Sequence, residues 1–108
     1  MNNELDEFVR LLEKKMPGVH IVEFKTRSLE TIKGVILTIT EAGLLDALLT
    51  VLTFWIDKHK SNTIKISYKT ADEKLIEVTY SSLNKAETEK ILLQNPPRIN
   101  STTKLILP

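Results

Sequence analysis

The sequence predicts an α+β domain in which a small three- or four-stranded sheet packs on a long apolar central helix and flanking helices. Three observations indicate this class: an apolar helical segment at residues 44–60, an alternating β-hairpin segment in the C-terminal half, and amphipathic segments on either side. The chain has 108 residues, of which 42% are hydrophobic and 27% charged, as in one globular domain. We expect residues 1–95 to form that domain and residues 96–108 to form a C-terminal tail.

The N-terminal segment, residues 3–16, has the period of an amphipathic helix. Leu5, Phe8 and Leu12 recur on one face, and acidic residues occupy the first turn and lysines the last turn, as the helix dipole favours. A Pro-Gly pair ends this segment. A short strand is predicted next, over residues 19–24, because apolar and polar side chains alternate there.

A second helix is predicted over residues 28–40. Ser28 is a suitable N-cap, Glu30 would lie in the first turn, and apolar residues recur at helical spacing. The β-branched run at residues 34–40 fits a strand as well, so helix and strand both stay open for it. Residues 41–43 then mark the break between this segment and the next helix.

Residues 44–60 form the predicted central helix. Its polar side chains recur at steps of four and three, which trace one narrow stripe along a helix. Because nearly everything off the stripe is apolar, we expect a helix that is covered on three sides and meets water or a partner on the fourth. Leu49 and Phe54 flank the stripe, which consists of Asp46, Thr50, Thr53 and Asp57 and continues to Lys60.

The apolar stretch at residues 34–56 must also be weighed as a membrane span. A span needs about 20 apolar residues, and an acidic side chain near its centre costs about 2.5–3.5 kcal/mol. Glu41 and Asp46 divide the stretch, so its longest charge-free run is residues 47–56. A run of that length is typical of a buried core helix. The sequence therefore predicts no stable membrane insertion.

Alternation over residues 64–69 and again over residues 76–80, with residues 70–74 between them, predicts a β-hairpin. Ile64, Ile66 and Tyr68 share one face of its first strand. Lys65 and Lys69 occupy the other face, where Glu77 of the return strand allows cross-strand pairing, and we expect these charged residues to protect an open sheet edge.

The C-terminal region contains one more helix. Asn84 and Glu87 form an Asn-based variant of the capping box, which opens a helix that runs to Gln94. Two prolines stop it. In the tail, residues 104–107 are expected either to add an edge strand or to stay mobile.

Charge and cysteine content exclude several classes. A net charge of +1 gives no general attraction to nucleic acid or anionic lipid. The absence of cysteine excludes disulfides and suits the cytosol. The acidic, polar N-terminus is unlike a secretory signal, so we expect a cytoplasmic protein.

Motifs for chemistry are absent from the sequence. His20 and His59 are the two histidines, and neither has a second ligand at metal-binding spacing. The glycines are isolated, which excludes phosphate loops, and no nucleophile elbow is present. The lysines near the hairpin are not interleaved with exposed aromatics, as nucleic-acid binding would favour. We expect no catalytic residue, no cofactor, no metal and no specific nucleic acid.

Beside these patterns, residues 44–92 resemble the effector-associated constant component family, and residues 4–24 fit the amphipathic helix and strand that precede this region in the family. The resemblance spans residues 4–94. The family joins an apolar helix, ending in Trp and basic residues, to a hairpin of alternating aliphatic residues and a short acidic helix. Here residues 54–60 match the helix end and residues 83–92 the closing helix, although the hairpin turn at residues 71–73 has no glycine. The hairpin match is carried by Ile64, Ile66, Ile76 and Val78. The resemblance implies a non-enzymatic partner in bacterial conflict or signalling systems.

The functional expectation is a non-catalytic adaptor or scaffold that binds a protein partner or itself as a homo-oligomer. One alternative is a small enzyme or ligand-binding domain with a pocket near Glu41–Gly43; another is a membrane-associated subunit. The predicted interface residues are Asp46, Thr50, Thr53, Asp57, Lys65 and Lys69.

Overall fold

The computed structural model describes residues 3–27, 31–60 and 62–107. Within these ranges the chain forms three helices and one five-stranded antiparallel sheet, which confirms the predicted α+β class. The elements follow in the order α1 (Asn3–Lys15), β1 (Ile21–Arg27), β2 (Thr31–Thr38), α2 (Gly43–Lys58), β3 (Ile64–Lys69), β4 (Leu75–Tyr80), α3 (Lys85–Gln94) and β5 (Thr102–Leu107).

The strands lie in the order β1-β2-β5-β3-β4, so β1 and β4 are the edges and β5 is the central strand. The expectation of an edge strand in the C-terminal tail is therefore wrong. Thr103, Leu105 and Leu107 are buried in alternation, and Leu105 lies opposite Val35 on one side and Ile66 on the other. This strand joins the two halves of the sheet because each of its flanks meets apolar residues of an antiparallel neighbour.

The structure has a strand, β2, over Thr31–Thr38, where a helix was predicted over residues 28–40. The strand alternative that was left open for residues 34–40 is therefore the correct one as far as Thr38. Along β2, buried Val35 and Leu37 alternate with less buried residues, a period of two. The β-branched composition prevails over the helical spacing because strands on both sides of β2 take up its backbone hydrogen bonds. The expected helix cap at Ser28 and first-turn residue Glu30 lie outside the described residues.

The remaining predicted elements are present, with small shifts in their ends. The first strand runs over Ile21–Arg27 and not over residues 19–24. The central helix is α2, the hairpin is β3 and β4, and α3 ends at Gln94 as expected. The sheet has five strands where three or four were expected, because β2 and β5 both belong to it.

One hydrophobic core unites the three helices with one face of the sheet. Its centre is Trp55 of α2, which is fully buried and meets the ring of Phe8 edge-on at a centroid distance of 5.2 Å. In the described part of the chain the helices cover this face and leave the other without a covering layer. We call the uncovered side the outer face; its side chains include Val22, Phe24, Ile36, Lys65, Lys69, Lys104 and Ile106.

The start of α3 differs from a capping box. Asn84 occupies the N-cap position but its side chain makes no capping bond. Its Oδ1 accepts from the backbone N–H of Ser81 at 2.8 Å, and its Nδ2 donates to the carbonyl of Thr79 at 2.7 Å. The side chain thus fastens α3 to the end of β4, an arrangement that local sequence spacing does not reveal.

Candidate functional site

The polar stripe of α2 faces α3 across a surface groove. Asp46, Thr50 and Asp57 are exposed and Thr53 is half-buried, as expected for one edge of an otherwise covered helix. The hydroxyl of Thr50 donates to the Asp46 carbonyl one turn earlier at 3.0 Å, so it is satisfied within its own helix. Thr53, by contrast, reaches residues of other elements.

Thr53 belongs to a three-way contact among α2, β4 and α3. Its hydroxyl donates to Glu89 Oε1 at 2.8 Å, and the Tyr80 hydroxyl donates to the same oxygen at 2.8 Å. The two hydroxyl oxygens lie 2.9 Å apart. Burial raises the pKa of Tyr80 well above its usual value, and Glu89 raises it further, while the Thr53 hydroxyl acts in the opposite direction. Tyr80 is therefore a neutral donor at physiological pH.

An ion pair lies at one end of the same groove, one turn towards the C-terminus of α2 and one turn towards the N-terminus of α3. Lys85 Nζ lies 3.0 Å from Asp57 Oδ1. Because 54% of the Asp57 side chain and 34% of the Lys85 side chain are exposed, water and salt screen this pair, and it contributes little to stability.

Apolar side chains line the rest of the groove. Leu49 and Phe54 face a volume of about 450 Å³ together with stripe residues and Glu89. Phe54 is 55% exposed, although the sequence pattern placed it among the covered residues. Of the described charges at the groove, Asp57 and Glu89 are acidic, and Lys85, which pairs with Asp57, is basic. The result is an apolar surface with an acidic border, which we call the α2–α3 groove.

Three groove residues were missed by sequence reasoning. Alternation along the return strand predicts that the ring of Tyr80 lies on the apolar face of the hairpin, which is correct, but the pattern gives no partner for its hydroxyl. Lys85 and Glu89 lie four apart on α3, and they meet Asp57 and Thr53, which lie four apart on α2. That matching i, i+4 spacing was the available signal, since it aligns one face of each helix.

The six predicted interface residues fall on two separate surfaces. Thr50, Thr53 and Asp57 line the α2–α3 groove, and Asp46 is exposed one turn before Thr50 on the same helix. Lys65 and Lys69 lie on the outer face of the sheet. The interpretation that these lysines protect a sheet edge is wrong, since β3 is paired on both sides by β5 and β4. Glu77, the third residue of that interpretation, does lie on edge strand β4.

A second cavity lies beside residues 41–43, which connect β2 to α2. A ligand pocket near these residues was one of the alternative functional expectations. The cavity has a volume of about 260 Å³, and of residues 41–43 it is Ala42 that lines its wall. Arg98 is the charged residue of the described wall, and its guanidinium lies 2.7 Å from Glu73 Oε1. The other walls are apolar or proline: Ile39, Leu45, Ala71, Pro96, Pro97 and Ile99.

Neither histidine has the surroundings of a metal ligand. His20 is exposed before β1. His59 lies against the Trp55 ring at a centroid distance of 4.2 Å, with its Nε2 3.7 Å from Glu7. Among the residues that the structure describes, three or more metal-ligating side chains gather nowhere. No helix within the described ranges has the length and apolarity needed to cross a bilayer.

Comparison of the chain with protein-family models, with curated proteins and with solved structures gave no match.

Proposed function

We propose that this protein is a non-catalytic adaptor that holds a partner protein in the α2–α3 groove. The observation that supports the proposal best is Phe54, a large aromatic side chain that is 55% exposed beside a groove and flanked by ordered polar residues. Aromatic side chains that project from a rigid element are the usual anchors of protein interfaces. The Thr53–Tyr80–Glu89 contact gives the groove the rigid base that such an anchor needs.

The groove favours a partner segment of definite chemistry. Its apolar wall, Leu49 and Phe54, suits a segment with one or two large apolar anchors, such as the apolar face of an amphipathic helix. Its border carries Asp57 and Glu89, and Asp57 is paired with Lys85. Basic residues next to the anchors would complement this border and would speed the encounter.

The setting of this adaptor follows from the family resemblance. An effector-associated component of a bacterial conflict or signalling system would work in the cytoplasm beside a larger effector. In that role, the chain would contact the effector through the groove, and self-association would be a further mode of assembly.

Site-specific photocrosslinking in cells tests the proposal. A photoreactive residue replaces Phe54 in one variant and Leu75 in a matched control, since Leu75 is also 55% exposed but lies on the other side of the sheet. We expect a discrete crosslinked species from position 54 that position 75 does not give. The same crosslinked products from both positions, or none from position 54, would contradict the proposal that the groove binds a partner protein.

A second candidate, ligand binding, is favoured by the cavity beside residues 41–43. Its apolar walls and the nearby Arg98 suit a small apolar acid. Ligand-observed NMR with a panel of aliphatic and aromatic carboxylates would reveal such binding, and Ala42→Trp, which fills the cavity, should abolish it. Binding that survives Ala42→Trp, or no binding by the panel, would exclude this candidate.

A further inference from the structure

Among the strands formed by the described residues, β1 lies at an edge of the sheet and has β2 as its one neighbour. Val22, Glu23, Lys25 and Thr26 are exposed, and Val22 keeps 45% of its surface accessible. An edge of this kind presents unpaired backbone N–H and C=O groups to any strand that can lie beside it. The opposite edge is partly occupied, because Asn84 donates to the Thr79 carbonyl of β4.

Two lysines with like charge lie opposite each other where β1 pairs with β2. Lys25 lies directly opposite Lys33 of β2. Like charges in opposite positions of an antiparallel pair are destabilising. In the part of the chain that the structure describes, neither lysine has an ion-pair partner. A carboxylate on the free side of Lys25 would offset this repulsion.

We infer that the missing neighbour is β1 of a second copy, paired antiparallel about a two-fold axis that passes midway between the two Phe24 residues. In this register Glu23 of each copy lies opposite Lys25 of the other, so the contact contains two opposite-charge pairs. The Glu23 carboxylate of each copy then lies opposite Lys25 of the other copy, which also lies opposite Lys33 of its own chain. Phe24 lies opposite its own copy, and Val22 lies opposite Thr26.

The neighbouring registers are excluded by charge. A two-fold axis normal to the sheet keeps each side chain on its own face, so the central residue must lie opposite itself. If the axis passed through Glu23, two carboxylates would face each other; if it passed through Lys25, two ammonium groups would. Of these three adjacent registers, only the one centred on Phe24 places every described charge of β1 opposite its complement or an uncharged residue.

The outer face continues across the proposed contact. Gly34 lies beside Phe24 and has no side chain, so the ring lies across it with Lys104 Nζ 5.2 Å from the ring centroid. In the dimer, Phe24 of each copy would therefore join the outer-face side chains Val22 and Ile36 of both copies in one apolar band. The two sheets would become one continuous sheet with all helices on the same side. This surface is separate from the α2–α3 groove, so the inference goes beyond the proposed function and stands independently of it.

Charge reversal tests the inference by sedimentation equilibrium over about a hundredfold range of concentration. Wild-type protein should show a monomer–dimer equilibrium. Glu23→Lys alone and Lys25→Glu alone should each weaken dimerisation by about tenfold or more, because each converts two opposite-charge pairs into like-charge pairs. An equimolar mixture of the two single variants should dimerise at wild-type strength, since both pairs are then complementary.

Cysteine pairing gives an independent test of the register, because the natural chain has no cysteine. Val22→Cys mixed with Thr26→Cys should form a disulfide-linked dimer under mild oxidation, while each variant alone should not. These substitutions leave Glu23, Phe24 and Lys25 in place.

Three outcomes would overturn the inference. One is a wild-type monomer throughout the concentration range, and another is a dimer that neither charge reversal weakens. The third is a mixture of the two charge variants that stays monomeric although each variant retains the wild-type far-ultraviolet circular dichroism. Loss of the dimer in Phe54→Ala but not in Glu23→Lys would assign self-association to the groove instead. None of these results bears on whether the groove binds a different protein.

Discussion

At the scale of single residues, two threonines of the α2 stripe differ in the hydrogen bonds that their hydroxyls make. Thr50 and Thr53 belong to the same stripe, and their sequence signals are alike. Their surroundings differ: Thr50 bonds within its helix, while Thr53 bonds to Glu89 and contacts Tyr80. Sequence periodicity identifies the stripe, but the partner of each hydroxyl depends on α3, which is distant in the chain.

Thr53→Val should destabilise the fold by about 1–2 kcal/mol, because it leaves the half-buried Glu89 carboxylate one hydrogen-bond donor short. Thr50→Val, an isosteric control three residues away on the same helix, should change the unfolding free energy by less than about 0.5 kcal/mol. Urea denaturation measures both values. Equal effects of the two substitutions would show that the three-way contact contributes nothing special.

The two tyrosines of the chain predict alkaline sensitivity. Burial raises the pKa of Tyr68 to about 12, and burial also raises that of Tyr80. Because both pKa values are higher in the folded state, their stabilising effect is complete below the unfolded value near 10 and is lost as pH rises above it. Tyrosinate absorbance should therefore rise together with loss of circular dichroism. Ordinary titration near pH 10 with the fold intact would contradict this expectation.

At the scale of elements, β2 shows why helical spacing alone misleads. Its apolar residues satisfy both a helical and a strand pattern, and the choice depends on neighbours that come from β1 and β5. Gly34 is part of that choice: a Cβ at this position would lie 2.0 Å from the Leu105 carbonyl oxygen of β5. The close approach of β2 and β5 therefore requires glycine here.

Gly34→Ala should cost about 2 kcal/mol or more, since the backbone of β2 or β5 must move to relieve the overlap. Gly43→Ala is the matched control, because a Cβ there meets no atom within 4 Å and alanine favours the helix that Gly43 begins. Thermal and urea unfolding should show the first variant destabilised and the second unchanged or more stable. A mild effect of Gly34→Ala would mean that the strands are less tightly apposed.

At the scale of the whole molecule, β5 decides the architecture. The α+β class, the central helix and the hairpin follow from local periodicity and could be predicted. The central position of β5 in the sheet could not be predicted, because local sequence patterns do not specify which distant strands pair. The α2–α3 groove was half predictable: its stripe is visible on α2, while α3 supplies the opposite wall.

A chain that ends at residue 101 should fail to fold, since it lacks the strand that joins β2 to β3. Circular dichroism and NMR dispersion measure this directly. Addition of a peptide of residues 102–108 should restore structure if the loss is that of β5 itself. Cooperative folding of the shortened chain on its own would contradict the central role of β5.

The measurement that tests the adaptor account most directly is calorimetric titration of the purified partner that position 54 captures. Capture alone does not decide the matter, so the partner must bind the unmodified protein in isolation. We predict that Phe54→Ala weakens this binding by about tenfold or more, as for a buried aromatic anchor, and that Leu75→Ala leaves it within about twofold. Equal affinities of the two variants would contradict the assignment of the α2–α3 groove as the binding surface.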